Sequence, residues 1–377
     1  IAVTGGAAET LAFSGGITLN GTSVLRFTND SGSVTGTVTA GANGVTIDAQ
    51  GTGTVATLTP SNNINLNIAA GKTLTITNAV TVPAGKIVTM TGTSDASAET
   101  LVLSGNLTLN GAAAELNITG DNTTTMVVTG TVTAGVDAAV LDVDASASIT
   151  AVNMTATVGD LTLEVASGKT LTTTVDVNDN TLTLSQTGTV STVQLDTANG
   201  TIQANANATI TTLTHTAAGL VNLGNGVNLT VTNAFNLGAN KLTLTGSSGV
   251  AQDTFTATVQ LNNALSELEI NGADLDNITG TTVTVSANGA TLDANINAAP
   301  AAVNMTAASG NLTLEVAAGK TLTTTVDVNN NTLTLSETGT VSTVQLDTAL
   351  ATVQANANGT ITTLTHTAAG LVNLGNG

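Results

Sequence analysis

The 377-residue chain has no cysteine, no tryptophan and no tyrosine, and its lysines and arginines number only six. Without cysteine there are no disulfide staples, no thiolate metal sites and no cysteine nucleophile. Six basic residues cannot neutralise a phosphate backbone. With 1% aromatics there is also no platform on which bases could stack, so nucleic acid is excluded as a partner. No apolar run is long enough for a helical membrane span. The helical period and the A/E/K/L/R-rich composition of a bundle or coiled coil are both missing.

What remains is a chain of small residues, rich in threonine and with 39 glycines. Its hydrophobic content of 41% is enough to bury a core, which excludes a disordered chain. Charged residues make up 8%, but 25 acidic against 6 basic side chains leave a net charge of -19. That balance favours solubility or cation binding over contact with anionic lipid.

Internal repetition is the strongest signal. Residues 152–226 recur as 303–377, a shift of 151 without a gap, with 65 of 75 positions identical. A weaker pair, 8–21 and 98–111, reads AETLAFSGGITLNG and AETLVLSGNLTLNG. TGTVTAG begins at Thr35 and again at Thr129, and the segments starting at Lys72 and Val227 resemble each other. Residues 1–377 therefore read as one continuous repeat array. Both ends look like interior repeat sequence, so the expectation is an array cut within a repeat at each end.

Runs such as Leu161–Val165, Asn228–Thr232 and Lys241–Thr245 alternate Leu or Val with Thr, Asn or Glu. This period of two puts an apolar and a polar face on short strands, and β-branched threonine suits the polar one. The runs are punctuated at short intervals by Gly, Asn, Asp or Ser, as turn signals are in all-β chains. The expected class is all-β, a parallel β-helix or β-solenoid whose narrow interior needs no aromatic residue. The alternative is an array of β-sandwich domains. It draws on Asn-Gly pairs at Asn20, Asn43, Asn110, Asn271 and Asn358, which suit hairpin turns.

The GKTLT, GNLTLNG and TGTVTAG phrases, in a cysteine-free, aromatic-poor and acidic setting, resemble the β-helical stretches of repetitive bacterial cell-surface proteins. Autotransporter passengers, filamentous adhesins and giant surface-fibre proteins are the groups concerned. The resemblance covers the whole chain but transfers no functional residue. It implies display outside the cell or on its surface. It also implies structural work in a fibre, sheath or surface layer, or alternatively service as an adhesin stalk with a host or surface ligand. The implied partners are further repeats of the same chain or other copies of it.

No catalytic, cofactor or metal site is expected, and each candidate has a plainer competitor. Asp176-Val-Asn-Asp-Asn180 has the opening spacing of a calcium loop, but Thr181 and Thr187 stand where an EF-hand needs Gly and Glu. The copy reads Asp327-Val-Asn-Asn-Asn331. Calcium would use Asp176, Asn178, Asn180 and Asp327; the competing reading is a turn built from Asn and Asp. Carboxylates two apart occur at Asp142/Asp144, Glu267/Glu269 and Asp274/Asp276, the arrangement a glycan-cleaving enzyme would want on a strand. None has a basic neighbour in sequence. Between the copies Asp160 becomes Asn311 and Gln186 becomes Glu337, which argues against obligatory catalytic acids. An enzyme is not expected.

His215 and His366 are repeat equivalents with no second ligand nearby. The GKT lysines Lys72, Lys169 and Lys320 lack the upstream glycine of a phosphate loop and read as turn lysines that offset carboxylates or blunt an edge. Thr-x-Thr phrases raise ice binding, which irregular coil lengths disfavour. Sequons such as Asn106, Asn117, Asn153, Asn228 and Asn304 are expected by chance at this composition.

Overall fold

A computed structural model describes residues 1–3, 10–11, 16–92, 97–120, 125–154, 158–247, 249, 251–272, 278–306 and 309–375. Among the described residues there is no helix; the fold is all-β, with stacked parallel strands forming a β-solenoid of about 16 turns. The chain divides into two compact units, residues 1–192 and 193–377.

In the first unit one sheet stacks Ala2–Val3, Val24–Phe27, Val45–Ala49, Ile64–Ile68, Ile87–Gly92, Glu115–Thr119, Ala139–Val143, Leu161–Val165 and Thr181–Leu184. The opposite sheet carries longer strands such as Gly32–Ala40, Gly53–Thr59 and Met126–Ala134. Several of these slip register midway, as between Val34 and Thr37, which bends the strand round the core. The second unit repeats the plan. Its first sheet runs through Gly219–Leu223, Lys241–Thr245, Glu267–Asn271, Ala290–Ala294, Leu312–Val316, Thr332–Leu335, Thr352–Ala355 and Leu371–Leu374.

Parallel pairing in register turns sequence alternation into continuous files. Val45, Ile64, Val88, Leu116, Leu141, Leu163 and Leu184 form one inward file, all of them buried. Leu25, Ile47, Leu66, Met90, Ile118, Val143 and Val165 form the next. Each such side chain contributes roughly 1.5–3 kcal/mol of burial. Neighbouring coils complete the backbone hydrogen bonds, so each coil depends on the one above and the one below.

Phe27 is fully buried and pairs with Ala49, while the ring faces Gly53. A Cβ on Gly53 would lie 2.5 Å from that ring.

The sandwich alternative is not what forms. The described Asn-Gly pairs do not close antiparallel hairpins. Gly21 and Gly44 adopt φ of 59° and 80° in turns between strands that pair in parallel with the next coil. Coil length is uneven: the register step from Val45 to Ile64 is far shorter than the step from Ile87 to Glu115. The inward files stay aligned across both steps.

Candidate functional site

The outward face of the first sheet gathers carboxylates that are far apart in sequence. In the first unit Asn117, Asp142 and Glu164 occupy one register position on consecutive coils. Asn117 Nδ2 donates to Asp142 Oδ2 at 3.1 Å, and Ser185 Oγ donates to Glu164 Oε1 at 3.2 Å. In the second unit Thr243, Glu269, Asp293 and Glu315 form the corresponding ladder. There Thr243 Oγ1 donates to Glu269 Oε2 at 2.8 Å, and Ser336 Oγ donates to Glu315 Oε1 at 3.2 Å.

Parallel strands stand ~4.8 Å apart, so like charges in one file cannot avoid each other. Partial burial, then the charges of Asp144, Glu164 and Glu115, push the Asp142 carboxyl up to about 6. Burial likewise pushes Asp293 up to about 6. Glu269, Glu315 and Glu337 add to the rise, against an opposing hydrogen bond from Asn295. Glu115 is also raised, by burial and then by Glu164 and Asp144.

One cation relieves the second ladder. Lys241 Nζ lies 2.7 Å from Glu267 Oε1 and 3.0 Å from Glu269 Oε2. Burial would raise Glu269, but the Thr243 and Lys241 hydrogen bonds hold it below its ordinary value. Asp142 and Asp293 thus hold and exchange protons near pH 6. Among the described residues no three His, Asp or Glu side chains converge as a metal site.

The carboxylates singled out by sequence fall differently in space. Asp142 meets Glu164 and Asn117 across coils, and Asp144 lies beside this cluster as an exposed residue. Glu267 and Glu269 share Lys241. Asp274 and Asp276 lie outside the described residues. Sequence reasoning passed over Asp293, Glu164 and Glu315. The signal was present: Asp142 and Asp293, like Glu164 and Glu315, are related by the shift of 151, and the members of each acid pair stand one coil apart.

Of the calcium candidates, Asp176 and Asp327 end strands, and Asn178 and Asn180 lie in the turn that follows the first of these. Asn178 and Asn329 have φ of 51° and 49°, the left-handed region that Asn tolerates. Asn178 Nδ2 donates to Met154 O at 2.7 Å and to Asn153 Oδ1 at 3.2 Å, and Asn180 Nδ2 donates to Val177 O at 3.2 Å. Asp176 aligns with Asn153, and Asp327 with Asn304 and Gln345, one to a coil. The amides of Asn178 and Asn180 are thus engaged with the backbone and with Asn153, while Asp176 and Asp327 stand at the ends of the preceding strands.

Lys72 behaves as the turn reading expects, with Nζ 3.0 Å from Asp30 Oδ1. Asp30 also accepts the Thr52 N–H at 2.8 Å. That backbone hydrogen bond and then the Lys72 contact hold its carboxyl below the usual range.

The two histidines part company. His215 is 6% exposed with neither ring nitrogen hydrogen-bonded, whereas His366 is exposed. Burial lowers the His215 pKa, with weaker opposing influence from the Leu237 and Lys241 backbone. Asp253 is fully buried and accepts the N–H groups of Gly226 at 2.8 Å and Ser247 at 2.7 Å, which ties a turn to the next coil.

Threonines line a shallow groove of about 340 Å³ across consecutive coils, formed by Thr230, Thr232, Thr256, Thr258 and Thr282 with Gly280 at its edge. Its spacing is broken by Gly280, where a regular array would place a further threonine.

Comparison of the chain with protein-family models, curated proteins and solved structures finds no match. The reading of function therefore stands on the geometry.

Proposed function

We propose that this protein is a non-catalytic structural element displayed outside the cell or on its surface, in a bacterial fibre, sheath or surface layer built from stacked β-coils. One observation carries the reading. Within each unit the polar side chains are used to bond one coil to the next: Asn117 to Asp142, Ser185 to Glu164, Thr243 to Glu269 and Asn233 to Thr212. Inward files supply cohesion and outward ladders supply register, which is what an extended support requires. The acidic surface keeps such a support soluble. The substitutions between internal copies, Asp160 to Asn311 and Gln186 to Glu337, fall on outward polar positions and support a role that does not depend on a fixed catalytic acid.

Electron microscopy of the purified protein tests the proposal. Regular polymers or sheets support the fibre role. Isolated rods at all concentrations overturn it in favour of a stalk. Turnover of any member of a glycan panel overturns the non-catalytic assignment.

A further inference from the structure

An asparagine followed by glycine is open to attack by its own backbone, because the glycine has no side chain to shield its nitrogen. Asn20, Asn43, Asn110, Asn225 and Asn288 all precede glycine, and all five are exposed. Exposure therefore does not distinguish them, but their hydrogen bonds do. Asn43 Oδ1 accepts the Asn63 N–H at 3.0 Å, and the Gly44 N–H donates to Asn63 O at 3.1 Å. Asn288 and Gly289 grip Asn311 in the same way, both at 3.0 Å. Asn225 Oδ1 accepts the Ala251 N–H at 3.1 Å, while the Gly226 N–H donates to the buried Asp253 Oδ1 at 2.8 Å. Each of these three pairs is clamped twice, at the side-chain amide and at the nitrogen that would attack it.

Asn20 and Asn110 are built differently. They are counterparts in the weaker repeat pair, one just after the strand Ile17–Leu19 and the other at the end of Leu107–Asn110. Among the described residues no hydrogen bond engages either side-chain amide, nor the N–H of Gly21 or Gly111. Their neighbours one coil on are Gly41 and Gly135, which carry no side chain to hold the amide in place.

We infer that Asn20 and Asn110 are sites of spontaneous deamidation in the folded protein, and that the clamps spare Asn43, Asn225 and Asn288. Hydroxide takes the proton of the Gly111 N–H, and that nitrogen attacks Asn110 Cγ. The bond from Cγ to the amide nitrogen breaks, and ammonia leaves with a proton returned by water, closing a succinimide ring. Water then adds to either ring carbonyl and opens the ring to aspartate or isoaspartate. One water is consumed and one ammonia released, with no redox change; Asn20 and Gly21 react alike. Each event adds a negative charge, and the isoaspartate product also adds a methylene to the backbone. The coils at Asn20 and Asn110 therefore change charge and path with time, while those at the clamped pairs do not. This holds independently of the proposed structural role.

Peptide mapping by mass spectrometry tests this on the intact chain. The protein is held at mildly alkaline pH, folded in buffer and unfolded in guanidinium chloride, and conversion of the five asparagines is followed over days. The unfolded chain supplies each site's intrinsic rate, so the ratio of folded to unfolded rates isolates the effect of structure. That ratio should be at least about tenfold lower at Asn43, Asn225 and Asn288 than at Asn20 and Asn110, because a clamped pair reacts only after its hydrogen bonds open. Asn20 and Asn110 should each yield isoaspartate together with aspartate. Equal ratios at all five sites, or faster conversion at a clamped one, overturn the inference. So does aspartate alone at Asn20 and Asn110, which marks direct hydrolysis without a succinimide.

Discussion

The acidic ladders make the stability of this protein depend on pH in an unusual direction. Asp142 and Asp293 are each raised from 3.8 to about 6. The folded state therefore binds protons more tightly than the unfolded chain, and stability falls as pH rises between those values. The contribution is fully present below about pH 4 and is gone above about pH 6. A shift of ~2 units corresponds to a ceiling of about 3 kcal/mol per group. Both side chains keep part of their surface in water, and screening brings the effect to about 1 kcal/mol each.

Asp142→Asn and Asp293→Asn should each remove this dependence locally and raise stability at pH 7 by that amount. Hydrogen exchange at Ala139–Val143 and Ala290–Ala294, followed from pH 4 to pH 8, isolates the effect from other titrations. Salt should reduce it, since the screening length drops to ~3 Å at 1 M. Local protection that rises with pH through this window, or a slope unchanged in both Asn variants, would refute the argument that stacked carboxylates oppose folding at neutral pH.

Other outcomes follow from single positions. Leu141→Ala empties one site of an inward file and should cost about 2–5 kcal/mol, read as a fall in urea midpoint. Gly53→Ala drives a methyl into the Phe27 ring and should cost about 1–3 kcal/mol, with partial recovery when Phe27→Leu is added. His215 has the opposite pH sign to the ladders. Its pKa is lowered by burial, so its coil loses protection as pH falls through 6.5 toward its folded value; this should be seen at Leu213–His215 and abolished by His215→Leu. Asp253→Ala strands two backbone N–H groups and should cost about 1–3 kcal/mol in thermal denaturation.

Much of the fold was legible because a solenoid is a local code. Leu161–Val165 and Lys241–Thr245 alternate with period two in sequence and are strands with those bounds. Small turn residues recur where the strands end. The coil length was not legible, because steps of different length keep the same inward register. The short step from Val45 to Ile64 and the long one from Ile87 to Glu115 therefore stack in one sheet. The Asn-Gly pairs were ambiguous for a related reason. A left-handed glycine reverses a hairpin or turns a coil equally well, and only the pairing partner decides between them.

The carboxylates show the same limit from the functional side. Reading two residues apart along a strand pairs Asp142 with Asp144, but a parallel stack places the decisive neighbour one coil away, at Glu164. In such a fold a repeat of one coil length is a contact, so duplicating a sequence duplicates its electrostatics. Positions related by the shift of 151 carry the raised aspartate and its glutamate neighbour together, Asp142 with Glu164 and Asp293 with Glu315, with the aspartates just ahead of the copies that begin at Val152 and Val303. Compensation is added locally: Lys241 is bonded to Glu267 and Glu269 at the head of the second ladder, where the first has Asn117 bonded to Asp142. Stacking brings like charges together, and the residues at the head of each ladder set how much of that repulsion remains.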